Sequence, residues 1–247
     1  MKHLVFLFIL FFTTTLFSQS KTLSAYQILE KVDYNMVAKS QIVSSEMIVY
    51  GKRKSRTIRS KGYSVGQEKN YTEYLYPERE KGTKMLKLED RLWIYSPTTD
   101  RIIQLSGHLL RQSVMGSDLS YEDMMEERKL RDIYSSSVIG NETIDGSASW
   151  KMELIAKVAD VSYYKRILWV DQKRFVPLRE ELYAKSGQLL KKTILSEVKN
   201  FDGRWYPTKI NYKDVLKDGK GTDFIVTAIE FNPVIAEQLF LKSSLKK

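Results

Sequence analysis

The sequence predicts a mainly β (α+β) domain organised around an antiparallel sheet, and three observations carry that reading. Apolar and polar residues alternate along the second half: Trp150, Met152, Leu154, Ala156 and Val158 stand against Lys151, Glu153 and Lys157, the period of a strand with one buried face. Turn dipeptides punctuate the runs at Asp145-Gly146, Ser186-Gly187, Asp202-Gly203 and Asp218-Gly219, each a hairpin or tight-turn signal. Short helical patterns near the N-terminus and near the middle supply the α component.

Met1–Ser20 has the form of a secretory signal peptide, with Lys2 ahead of the apolar run Leu4–Phe12 and small residues at Ser18 and Ser20 before a cleavage point at Lys21. The apolar run falls short of the ~20 residues that span a bilayer. Residues 21–247 are therefore expected to form one exported, soluble domain, an ordinary size for a single β fold. The chain has no cysteine, which excludes a disulfide framework, a thiol nucleophile and an acyl-cysteine anchor.

Thr22–Ala38 reads as an amphipathic helix: Ser24 caps it, Gln27 returns the bond, Leu23 and Ile28 form a staple, and Ile28, Leu29, Val32, Met36 and Val37 make an apolar stripe. Strands follow at Ile42–Tyr50, Arg56–Val65 and Tyr71–Tyr76. Lys52, Arg53, Lys54, Arg56 and Arg59 form a basic cluster in a chain with 40 Lys and Arg against 30 Asp and Glu. Export makes nucleic acid an unsuitable partner, so the cluster points to anionic lipid headgroups, peripheral membrane contact or a solvated strand face.

The stretch Glu80–Glu127 is the least generic. Two strand-like runs, Thr83–Glu89 and Arg91–Leu105, are separated at Glu89-Asp90, and the second breaks at a Ser96–Asp100 turn because Pro97 lacks an N–H. Trp93 and Tyr95 face one way, Leu92 and Ile94 the other, so neither face is simply solvated. Gly107–Ser117 is a loop rich in apolar side chains, and Ser120 with Asp123 has the spacing of a capping box opening a helix over Tyr121–Arg128. Asp118, Glu122, Asp123, Glu126 and Glu127 read as caps and surface carboxylates; none of the ligand spacings of a calcium loop occurs.

Beyond Lys129 the chain reads as a meander, with strands at Trp150–Val158, Ile167–Val170, Leu178–Ala184, Leu189–Val198, Trp205–Tyr212 and Thr222–Phe231. A short helix or strand at Ile235–Leu241 and a frayed Lys242–Lys247 close it. Phosphate-loop, dinucleotide-binding, zinc-protease and serine-hydrolase motifs are absent, and the two histidines, His3 and His108, are a thin stock for acid–base chemistry. No enzyme, cofactor or metal is expected.

Lys81-Gly82-Thr83, Leu92-Trp93-Ile94-Tyr95, Pro97, Arg101-Ile102-Ile103 and above all Met115-Gly116-Ser117-Asp118, Ser120-Tyr121-Glu122-Asp123 resemble the LolA-like outer-membrane lipoprotein-sorting family, in its uncharacterised periplasmic branch. Trp169-Val170-Asp171, Pro177, Gly187, Asp202-Gly203 and Tyr206-Pro207-Thr208 extend the resemblance to the second half. It implies a curved antiparallel sheet forming an incomplete β-barrel, its concave side covered by short helices and a loop, with acyl chains bound between them. The expected role is a periplasmic carrier of lipoproteins or lipids towards the outer membrane, served by an inner-membrane lipid transporter and an outer-membrane acceptor. The expected acyl-chain partners are Trp93, Tyr95, Leu110, Met115, Tyr121, Met124 and Met125. The alternative is a regulatory or adaptor module of the same fold that senses lipid or docks on an envelope transporter.

Overall fold

The computed structural model describes residues 23–51 and 53–246. The signal-peptide stretch Met1–Ser20 and the basic residue Lys52 lie outside the described residues.

Thirteen strands form one sheet from two meanders. The first contains β1 (Ser40–Tyr50), β2 (Ser55–Val65), β3 (Lys69–Tyr76), β4 (Lys84–Leu88), β5 (Arg91–Ser96) and β6 (Arg101–Leu105). The second contains β7 (Tyr134–Ile144), β8 (Ser147–Ala156), β9 (Lys165–Asp171), β10 (Pro177–Tyr183), β11 (Leu189–Phe201), β12 (Arg204–Asp214) and β13 (Thr222–Phe231). All neighbours are antiparallel, and the meanders join at β1 and β13, from Gln41 opposite Phe231 to Val49 opposite Thr222. Strands β6 and β7 are the two edges and do not pair, so the curved sheet is an open, incomplete barrel.

The turn dipeptides fall where the sequence places them. At Asp145-Gly146 and Asp202-Gly203 both residues take positive φ (47° and 79°, 51° and 87°), the twist that a two-residue hairpin needs and that Gly supplies without strain.

Helix α1 (Ala25–Met36) carries the expected capping box, Ser24 with Gln27, and buries Ile28, Leu29 and Val32 against Ile133, Tyr134, Met152, Leu154, Leu168 and Val170. It thus covers the β7–β9 end of the concave side. The segment 107–133 leaves β6, crosses the concave side and enters β7. It comprises 3-10 turns at Gly107–Arg111 and Val114–Gly116, α2 (Tyr121–Met125) and α3 (Leu130–Ile133). Its Val114 and Leu119 pack on Met47, Ile58, Tyr74, Met85 and Leu92 from β1–β5. This strap is the lid of the half-barrel.

Two expectations are corrected and one strand is added. Helix α2 stops at Met125, three residues early, because Glu126 is extended and pairs with Arg128, turning the chain towards α3. Strand β7 was not legible: as an edge strand it is mostly exposed and shows no alternation. The C-terminal residues up to Lys246 are not frayed, and Lys247 lies outside the described residues. Glu237–Phe240 and Lys242–Lys246 form 3-10 turns that seat Phe240 and Leu245 on Tyr71, Leu86 and Trp93, on the face opposite the lid.

Candidate functional site

Between α1, the lid and the β9–β13 floor lies a cavity of about 390 Å³, within the ~300–1,000 Å³ typical of small-ligand sites. Its apolar lining comes from Val32 and Met36 of α1, Leu119 and Met124 of the lid, and Leu168, Leu182, Leu195, Ile210 and Phe224 of the floor. The strands place these floor residues by parity, one side chain in two facing inward.

Charged residues stand among them, and each is held by a partner. Arg166, on β9, gives Nη1–H to Glu180 Oε1 on β10 at 3.0 Å and Nε–H to the Tyr134 hydroxyl at 3.0 Å. Burial works against the Arg166 charge, but Glu180 and Tyr134 outweigh it and hold the guanidinium protonated. Lys191, on β11, donates to Asp123 of α2, whose other oxygen accepts the Tyr163 hydroxyl at 2.5 Å. Burial would raise the Asp123 carboxyl; Lys191, Tyr163 and the Ser120 N–H overcome that and keep it below the usual carboxylate range.

Three of the lid carboxylates, Asp118, Asp123 and Glu127, are therefore more than surface groups. Asp123 closes the expected capping box with Ser120 and also anchors α2 to the floor. Asp118 accepts the Thr222 hydroxyl at 2.9 Å and the Asp214 N–H at 3.0 Å, tying the lid to β13 and β12. Glu127 accepts from Lys87 on β4 at 3.2 Å and Asn70 on β3 at 2.9 Å. Among the described residues, no group of three or more His, Asp or Glu is arranged to hold a metal ion.

Asp33 fastens α1 to the end of the lid. It is 3% exposed and accepts the N–H groups of Leu130 (2.9 Å) and Arg131 (3.2 Å). Burial raises its carboxyl from 3.8 to about 6, against the opposing pull of the two N–H groups and the Arg131 charge. Since the folded value lies above the unfolded one, the folded state binds the extra proton. The contribution is full below pH 3.8 and lost as pH rises through about 6. That interval corresponds to roughly 3 kcal/mol. Asp33→Asn is expected to gain about that much relative to the wild type between pH 4 and pH 7.5, in urea unfolding at each pH. A pH-independent difference would show that Asp33 does not titrate there.

The seven residues expected to meet acyl chains divide between the two faces. Leu110, Met115, Tyr121, Met124 and Met125 pack together under the lid with Leu92 and Ile94. Of the seven, Met124 also lines the cavity. Trp93 and Tyr95 lie on the opposite face, against the C-terminal turns, so they do not share a cavity with the methionines. The physical reason is the alternation itself: with Leu92 and Ile94 under the lid, Trp93 and Tyr95 must face away.

The described members of the basic cluster, Arg53, Lys54, Arg56 and Arg59, are exposed. Arg59 pairs with Glu46 at 2.8 Å and lies over the Tyr76 ring. Arg56 reaches the lid at Gly116, where an added Cβ would stand 3.2 Å from Nη2 and φ is 70°. The floor residues Arg166, Glu180 and Lys191, with Asp33 and Tyr163, were not foreseen; their signal was charge at positions of core parity.

An open antiparallel half-barrel whose concave cavity is strapped by a lid defines a LolA-like fold, and solved structures agree. One is a putative outer membrane lipoprotein-sorting protein domain from Vibrio parahaemolyticus (23% identity, TM-score 0.77, 90% of this chain and 98% of that one). A second is a DUF1329 family protein from Desulfovibrio piger (24%, TM-score 0.79, 90% and 97%). A third is a LolA superfamily protein from Nitrosomonas europaea (26%, TM-score 0.73, 90% and 100%). A family model described as an uncharacterized protein matches residues 66–247, and the chain belongs to that family. No curated protein matches the sequence. The resemblance carried by Met115–Asp123 thus holds for fold and superfamily.

Proposed function

We propose that the protein is a periplasmic carrier that shields an acyl chain of a lipoprotein or lipid in the cavity between α1, the lid and the sheet floor. The observation that carries this is the cavity, lined by Leu168, Leu182, Leu195, Ile210 and Phe224, with its charges neutralised pairwise. A chain entering it leaves water at about 0.8 kcal/mol per buried methylene, so a single chain supplies useful affinity. Export follows from the form of Met1–Ser20, and no helix among the described residues is long and apolar enough to cross a membrane. Loading requires the lid to move, because Asp118, Asp123 and Glu127 fasten it to the sheet. The surplus of Lys and Arg, with Arg53, Lys54 and Arg56 exposed and Arg56 beside the lid at Gly116, favours approach to anionic membrane surfaces.

The test is native mass spectrometry of the mature protein purified without detergent and then offered acylated lipopeptide or lysolipid. A stoichiometric acylated adduct is expected, reduced at least tenfold by Met124→Asp in a protein that keeps its circular-dichroism spectrum. A bare mass under every offer would end the carrier reading.

A further inference from the structure

A second cavity of about 440 Å³ lies on the other side of the Ser120–Asp123 turn. It shares Leu119, Ser162, Tyr163 and Lys191 with the first, so the two meet at the Lys191–Asp123–Tyr163 cluster. Where the first cavity is mainly apolar with its charges paired, this one sets hydroxyls and both signs of charge beside Leu119, Val161, Leu190 and Leu216. We infer that the second cavity holds the phosphodiester headgroup of an amphiphile whose chain lies in the first, with a zwitterionic phosphoethanolamine as the best match. The assignment rests on the carrier reading and narrows it from acyl chains in general to glycerophospholipid-type cargo. An acylated lipoprotein terminus presents amides and esters at that point and no phosphate.

The order of charges sets the class. At the junction, where the glycerol and phosphate of such a molecule fall, stands Lys191, which commits one of its three N–H donors to Asp123. Arg111 lies across the same cavity with an exposed guanidinium, held among the described residues by Glu122 alone, at 3.4 Å to Nε, so most of its planar fork is open to phosphate oxygens. Arg111, Glu122 and Asp214 line the second cavity and not the first, which sets the Glu122 carboxylate beside the phosphate position for a terminal ammonium, while Asp214 also accepts the Leu216 N–H at 3.0 Å. Lys217 is already engaged, donating to the Ser113 hydroxyl (2.5 Å) and the Ser117 carbonyl (2.6 Å), and shapes the wall rather than meeting the ligand.

Isothermal titration with three probes tests this: lysophosphatidylethanolamine, a monoacylglycerol of the same chain, and chain-free glycerophosphoethanolamine. The lysolipid is expected to bind at least tenfold tighter than the monoacylglycerol, and the chain-free headgroup not measurably. Arg111→Gln, an exposed change compatible with folding, is expected to cut that ratio to threefold or less. Equal affinities for the two chain-bearing probes, or a ratio untouched by Arg111→Gln, would overturn the headgroup site while leaving the carrier reading intact. Binding of glycerophosphoethanolamine as tight as the lysolipid would reassign the cavity to a free phosphodiester. Failure of both chain-bearing probes would remove the carrier reading and this inference with it.

Discussion

Glu180→Gln is expected to lower the free energy of unfolding by about 3–5 kcal/mol, because it leaves the Arg166 guanidinium without its counter-charge inside the protein. The two side chains are 11% and 16% exposed and 3.0 Å apart, and the Tyr134 and Tyr163 rings flank the guanidinium. An isolated charge in such a place is not repaid by an amide, whose dipole replaces only part of the carboxylate's attraction. Arg166→Met combined with Glu180→Leu is expected to return to within about 1 kcal/mol of the wild type, since a buried pair exchanged for well-packed apolar residues is often neutral. Urea unfolding at pH 7 measures both. A neutral single variant would mean that water admitted through the cavity already solvates Arg166.

Leu245→Ala is expected to cost about 2–5 kcal/mol, the usual range for a fully buried leucine. Leu245 is 0% exposed, third from the end of the chain, and with Phe240 it covers Trp93, Leu86 and Tyr71. Trp93 gives the reaction an optical readout: its ring lies under Lys242 and is 6% exposed. Loosening the C-terminal turns wets the indole, so a red-shifted emission should accompany the loss in stability. Unchanged stability and emission would show that the outer face of β3–β5 keeps its packing without the tail.

The strand-and-turn framework was legible because its signals are local. Ser24–Gln27 and Ser120–Asp123 carry their caps within one helical turn, and Asp145-Gly146 and Asp202-Gly203 carry their hairpins in two residues. Sidedness was harder. In β11 the alternation is mixed on both faces, and the structure buries Thr193 while leaving Ile194 51% exposed, the reverse of their polarity. The charged floor was hidden for the same reason: Arg166 and Glu180 alternate with Leu168 and Leu182 as inward residues, and only their pairing across strands makes that affordable. Trp93 and Tyr95 looked like cavity residues because nothing within β5 announces that a segment more than a hundred residues later covers them. Asp118 and Glu127 looked like surface carboxylates because their partners, Thr222 and Lys87, lie 104 and 40 residues away in the chain.

The β1–β13 pairing has a bearing on how the protein comes to exist at all. Gln41 and Phe231 are neighbours in the sheet but stand near opposite ends of the chain, so the centre of the sheet is its most non-local contact. Hairpins within either meander close over short loops, whereas this seam pays the entropy of a very long one and forms late. In the export proposed above, a chain threaded out through a translocase delivers β1 first and β13 last. Until Phe231 emerges, β1 remains a bare edge and the concave side is split into two half-troughs, each exposing apolar surface to a crowded compartment. The interval between the arrival of the first strand and that of the last is therefore the period in which this chain is most exposed to aggregation and to envelope proteases.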